Sequence, residues 1–208
     1  MPDRNTIRKI VNIILVIAVA GSWYTILFFS FGPLIQNGFG SMKYFTVQSN
    51  LLEGLASVVW LVSTHKNGKA SRMAELLKYI AAAAVGLTCA TVLFFLGPLY
   101  GYLAMLRGGN FFMHLLTPVI SVAEMIFLSD AAFSRKDNAL VVLSPLVYGT
   151  FYLGNNLING IGEWPDTNDW YFFLAWGYPI GILIFAVICA VTWLLGLVMR
   201  KLHCNIDR

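Results

Sequence analysis

Lys43-Tyr44-Phe45-Thr46-Val47-Gln48-Ser49-Asn50-Leu51-Leu52-Glu53 opens an apolar run that continues to about residue 64. The run is long enough to cross a bilayer, which takes about 20 residues at a helical rise of about 1.5 Å. Polar groups at its mouth need partners, because an unsatisfied one in hydrocarbon costs several kcal/mol. On a helix, Thr46, Asn50, Glu53 and Ser57 fall at i, i+4, i+7 and i+11, a single face. Lipid rejects such a face, so it looks into a bundle or a wet cavity. The stretch therefore reads as the outer end of a membrane helix that carries a site.

The rest of the chain agrees. Of its 208 residues 58% are hydrophobic and only 12% charged, with a mean hydropathy of +0.72. Soluble domains carry about 25% charged residues. Further apolar runs predict spans over residues 7–36, 73–96, 111–128, 139–157 and 170–199, in addition to 44–64. Gly97-Pro98 is expected to stop the third, and Gly177 with Pro179 to kink the sixth. The first run is too long for a signal-peptide core and lacks a small-x-small cleavage site, so it reads as a retained helix. No repeat or long linker divides the chain. The expectation is an all-α membrane protein: one domain, residues 1–208, with six transmembrane helices.

The placement of charge predicts orientation. Arg4, Arg8, Lys9, Lys66, Lys69, Arg72, Lys78, Arg135, Lys136, Arg200, Lys201 and Arg208 fall on one side, and only Lys43 and Arg107 on the other. The positive-inside bias then puts both termini in the cytoplasm. Tyr44, Tyr100, Tyr102, Trp164, Trp170 and Tyr171 gather at the opposite, outer level as an interfacial belt. Basic residues are scattered, so no nucleic-acid patch is indicated. Cys89, Cys189 and Cys204 have no ligand or framework spacing, so neither a metal nor a disulfide is expected, and no cofactor is indicated. No N-x-Ser/Thr sequon is present, which fits a bacterial plasma membrane.

Four spans deliver polar residues to one outer level. These are Thr46, Gln48, Ser49 and Asn50; Asn110, His114 and Thr117; Asn155, Asn156 and Asn159; and Trp176 and Tyr178, about two turns into the sixth span. Convergent polar groups in an apolar bundle are the usual form of a site. His114 is the one histidine inside a predicted span and is a candidate general base. It reads equally as a core imidazole bonded to a neighbouring helix. Thr46 is a candidate hydroxyl nucleophile, or a cap or interhelical bond. Asn50-x-x-Glu53 also matches a capping box, but that start leaves the span too short. Glu124 lies deep, and pairs with Lys78 or orients a partner. The asparagines serve as interhelical glue as readily as ligands.

Lys43-Tyr44-Phe45-Thr46, followed two spans later by Met113-His114-Leu115-Leu116-Thr117-Pro118 and Glu124, resembles the androgen-induced membrane hydrolase family and its six-helix bacterial branch. The animal members hydrolyse fatty acid esters of hydroxy fatty acids. The resemblance covers residues 40–130 and implies Thr46 as nucleophile, His114 as base and Glu124 as the family's downstream glutamate. After Thr46 the chain reads Val-Gln-Ser-Asn, as in the bacterial branch. The implied activity is hydrolysis of a fatty-acyl ester within the membrane. Asn110, Asn155, Asn156 and the backbone at the start of the second span are candidate oxyanion donors. No GxSxG elbow is present, so an α/β-hydrolase is excluded. The rival reading is a small transporter or a lipid- or solute-binding protein that uses the same outward polar cluster, with Glu53 and Glu124 as protonatable stations. Against it stands the scarcity of polar residues in the inner half other than Glu124. A structural or assembly subunit is the third reading.

Overall fold

The computed structural model describes residues 3–28, 38–163 and 166–206. Among these residues helix is the only repeating structure and there is no strand. Six helices are long and apolar enough to cross a membrane: α1 Arg4–Phe28, α2 Phe45–Lys66, α3 Arg72–Tyr100, α4 Gly109–Phe127, α5 Arg135–Asn159 and α6 Tyr178–Cys204. The protein is an integral, multi-pass membrane protein. The end of the predicted first span, residues 29–36, and Trp164 of the predicted belt lie outside the described residues.

Helix α3 occupies the middle and packs against α2, α4, α5 and α6, while α1 packs on α2 and α4. Small residues make this possible. Ala81, Ala82, Ala83 and Ala84 are all fully buried, so neighbouring backbones approach α3 closely. At the α1–α2 crossing a Cβ on Gly54 would lie 2.9 Å from the Val19 Cγ1, so any side chain there forces Val19 to move. Ile17, Val62, Phe151 and Leu183 point outward, as lipid-facing residues do in a bundle held together by packing rather than by water exclusion.

Cross-links gather alternate helix ends. At one end Arg4 donates to the Ser129 carbonyl at 2.8 Å, and Arg72 pairs with Asp137 at 2.5 Å. At the other end the Tyr148 hydroxyl donates to the Lys43 carbonyl at 2.7 Å, and the Phe45 N–H donates to the Tyr171 hydroxyl at 2.9 Å. The buried Asp169 accepts from the Tyr152 hydroxyl and from the Leu174 N–H, pinning the 160–177 connection over a cluster of aromatic rings.

One predicted boundary moves, and its physical cause recurs in a second helix. Gly97-Pro98 does not stop α3; the helix widens into a π turn over Val92–Leu96 and runs on to Tyr100. Proline has no N–H and its ring clashes with the carbonyl four residues back. For Pro98 that carbonyl belongs to Phe94, at the centre of the π turn. The same device recurs in α4, where Pro118 follows a π turn over Phe112–Leu116 centred on His114. The widened turn takes up the lost bond without breaking the helix.

The other shifts are local. Helix α5 starts at Arg135, inside the expected 130–138 loop, because Ser134 and Asp137 form a capping box. Helix α6 starts at Tyr178. Gly177 at φ +86° and Pro179 mark its beginning and not a kink within it. Trp176 therefore lies in the preceding connection, 72% exposed, and Tyr178 is the first helical residue, not two turns deep.

Candidate functional site

Thr46 is the second residue of α2, so its hydroxyl has no helical carbonyl one turn back to bond. The hydroxyls of Thr64, Thr91, Thr150 and Thr192 each bond such a carbonyl in their own helices. Among the described residues no hydrogen bond occupies the Thr46 side chain, which is half-buried. One turn on, the fully buried Asn50 amide donates to the Thr46 carbonyl at 2.8 Å and to the Met113 carbonyl at 3.1 Å. A single side chain thus ties the backbone of Thr46 to the residue before His114.

His114 sits at the centre of the α4 π turn and is 7% exposed. Its Nδ1 lies 2.6 Å from the Met105 carbonyl oxygen. A carbonyl only accepts, so Nδ1 carries the proton and Nε2 keeps its lone pair in the neutral ring. No hydrogen bond joins His114 to Thr46 among the described residues. Thr117, one helical position past the π turn, is fully buried with an unpartnered hydroxyl. Asn110 is buried at the start of α4.

Below this level lies a network of five charged side chains. Arg8 on α1 donates to both carboxylate oxygens of Glu75 on α3, at 2.6 and 2.8 Å, and through Nε to Glu124 on α4 at 2.5 Å. Its guanidinium also stacks 4.5 Å from the Trp60 ring centre. Glu75 accepts further bonds from the Trp60 indole at 2.9 Å and the Ser129 hydroxyl at 3.2 Å. Lys78 on α3 donates to Glu53 and, at 3.0 Å, to Ser57, both on α2, and lies 3.2 Å from Glu124. Asn12 reaches Glu124 at 3.4 Å. Glu53, Ser57, Lys78 and Asn12 are completely buried. The face predicted from Asn50, Glu53 and Ser57 is therefore an interior face, and Glu124 does lie against Lys78.

The α5 asparagines turn elsewhere. Asn155 accepts from Asn159 at 2.8 Å, and Asn156 donates to the carbonyls of Tyr152 and Asn168. Both donors of Asn156 are thus engaged with its own helix and the following connection. Tyr178 packs on the aromatic cluster. A groove of 420 Å³ opens between α2, α3 and α5, lined by Phe45, Gln48, Ser49, Leu52, Ile80 and Val147 among others. Thr46 and His114 are not in its wall.

Arg8, Asn12, Trp60 and Glu75 were not among the site residues expected from the sequence. The signal for them was available: a charge within a span demands a partner, and Arg8 and Lys78 on two spans require carboxylates on others. No family profile, curated protein or solved structure matches the chain.

Proposed function

We propose that the protein is an intramembrane lipid-ester hydrolase of the androgen-induced membrane hydrolase type, with Thr46 as nucleophile and His114 as base. The observation that carries this reading is the state of His114. A backbone carbonyl on Nδ1 leaves Nε2 as a proton acceptor in the tautomer a general base needs. The unengaged Thr46 hydroxyl and the Asn50 bridge between the two backbones add to it.

In the first step the Thr46 Oγ–H proton passes to His114 Nε2 as Oγ bonds the acyl carbon. The ester C–O bond breaks and the departing alcohol takes that proton. Water then attacks the acyl-threonine, giving a proton to His114, and the carboxylic acid leaves with Thr46 restored. The groove beside α2 is lined mostly by apolar side chains, as an acyl chain requires. The positive-inside bias supports an orientation with both termini in the cytoplasm of a bacterial plasma membrane, which places Thr46 near the outer interface where water enters.

The test uses purified protein and a fatty acid ester of a hydroxy fatty acid. Thr46→Ser retains measurable turnover, while Thr46→Ala and His114→Ala each abolish it, and the double variant is no worse than either single one. A fluorophosphonate labels Thr46. Full turnover by folded Thr46→Ala excludes threonine catalysis.

The second reading, a transporter or lipid- or solute-binding protein, gains from one observation. The inner half of the bundle holds Arg8, Asn12, Glu75 and Lys78 together with Glu124, and is far more polar than the sequence suggested. Substrate-dependent stabilisation without labelling or turnover selects this reading.

A further inference from the structure

The buried network contains two cations, Arg8 and Lys78, and three carboxylates, Glu53, Glu75 and Glu124. Fully ionised, it carries one negative charge too many. An uncompensated charge in a medium of low dielectric is the costliest arrangement a bundle can hold. Arg8 stays protonated under all conditions, and discharging Lys78 would enlarge the excess. The missing positive charge is either a proton or a bound cation. Arg4 and Asp130, toward the same end of the bundle, pair with each other at 3.7 Å.

The three carboxylates are not equivalent. Glu75 accepts four hydrogen bonds, two from Arg8 and one each from Trp60 and Ser129. Glu124 faces both cations and Asn12; its Oε2 makes no hydrogen bond but lies 3.2 Å from the Lys78 ammonium. Glu53 has Lys78 as its sole charged donor, with Ser57 at 3.4 Å, and both reach the same oxygen, Oε1. Its other oxygen, Oε2, is buried and has no charged donor; only the Ser121 hydroxyl faces the carboxyl there. A hydroxyl both donates and accepts, so a proton on Oε2 can be given to the Ser121 oxygen, and that proton cancels the excess negative charge of the network.

We infer that Glu53 is a proton-binding site, its Oε2 carrying a proton directed at Ser121 and exchangeable with water through the hydroxyl of Thr117. Thr117 lies one turn from Ser121 on the same face of α4, its hydroxyl unpartnered. The side-chain oxygen of Asn50, whose amide donates to the Met113 carbonyl four residues before Thr117, is likewise buried and unpartnered. The groups facing Glu53 are Lys78 from α3, Glu124 and Ser121 from α4, and Ser57 from α2 itself; on α1, Asn12 and Arg8 stand behind Glu124. A metal cation is the poorer occupant. The Lys78 ammonium repels it, and among the described residues no three His, Cys, Asp or Glu side chains form a metal-binding group. The inference narrows the transport reading to one acid but stands whether or not Thr46 is a nucleophile.

The test is infrared spectroscopy of the full chain in lipid nanodiscs at pH 7. Wild-type protein shows a carbonyl-stretch band of a protonated carboxylic acid that shifts in D₂O. The band is lost in Glu53→Gln and moves, without disappearing, in Glu53→Asp. The Asp variant keeps the assignment testable should Glu53→Gln fail to fold. A wild-type spectrum without the band overturns the site. So does a band that survives in folded Glu53→Gln, ignores D₂O, or vanishes on adding sodium chloride in place of a large organic cation.

Discussion

The Arg8 guanidinium holds Glu75 in a two-point grip, Nη1 to Oε1 at 2.6 Å and Nη2 to Oε2 at 2.8 Å, joining α1 to α3. The planar fork matches the carboxylate, and its third edge, Nε, reaches Glu124 on α4. Three helices thus share one cation. Removing one partner of a buried pair leaves the other uncompensated, at a cost of about 3–5 kcal/mol. Arg8→Met is expected to lose about that much in detergent-micelle unfolding titrations. Arg8→Lys, which has a point charge and no fork, recovers only part of the loss. A loss below about 1 kcal/mol for Arg8→Met would show that the grip is not what holds α1 in place.

Alkaline stability depends on Tyr171, in the connection before α6. Burial pushes its phenol up to about 12. An unfolded tyrosine releases its proton near 10. Between about pH 10 and 12 the folded state therefore binds a proton that the unfolded state has given up, and stability falls as pH rises through that window. Lys43 acts in the opposite sense. Burial lowers its affinity for the proton, against the pull of Asp166, so its contribution rises with pH just below the ordinary lysine value. Comparing wild type with Tyr171→Phe cancels the Lys43 effect. The variant is expected to melt lower at pH 8, having lost the acceptor for the Phe45 N–H, yet to decline less steeply between pH 10 and 12. Parallel declines would assign the alkaline loss to other groups.

The six spans were legible because apolar length is the strongest signal a membrane sequence carries. The inward face of α2 was legible too, since helical spacing alone puts Asn50, Glu53 and Ser57 together. The errors came where proline was read by its habit in water. Pro98 does not end its helix, and Pro118 lies within its span as expected, because neighbouring helices and a widened turn absorb the missing bond. Gly177 and Pro179 were read as a kink because the aromatic run from Trp170 is apolar enough to extend the span. Instead, Asp169 ties that run into a packed connection through Tyr152 and Leu174. The pairing of Lys78 with Glu124 is legible from their shared depth. Arg8 reads only as an orienting charge, and its meeting with Glu75 and Glu124 needs the crossing of α1, α3 and α4, which no local pattern records.

Asn50 gives a separate handle on the candidate site. Its amide holds the Thr46 carbonyl and the Met113 carbonyl together. Asn50→Leu removes the donor while keeping size and adding no charge. Interhelical hydrogen bonds in membranes are worth about 0.6–2 kcal/mol, so the variant folds. If the bridge positions Thr46 against His114, kcat for ester hydrolysis drops at least tenfold with KM little changed, since the acyl groove beside α2 does not include Asn50. A rise in KM at constant kcat would place Asn50 in substrate binding instead.

Pro118 tests whether the π turn matters to His114. The proline denies a donor to the His114 carbonyl and crowds it, and the five-residue turn Phe112–Leu116 is the result. Pro118→Ala restores an N–H at the position that bonds His114 in a regular helix. Regularising α4 removes one residue's worth of extra winding, so the part before residue 117 rotates by about 100° relative to Thr117, Ser121 and Glu124. The imidazole then leaves the Met105 carbonyl, and the tautomer is no longer fixed. Helix content and thermal stability should change little, because the ion network lies on the far side of the turn. Hydrolysis should fall as severely as in His114→Ala, and the ¹⁵N resonances of His114 should change from a single Nδ1-protonated form to a mixture. Wild-type turnover with an unchanged imidazole spectrum would mean that the π turn only accommodates the proline and has no part in placing the base.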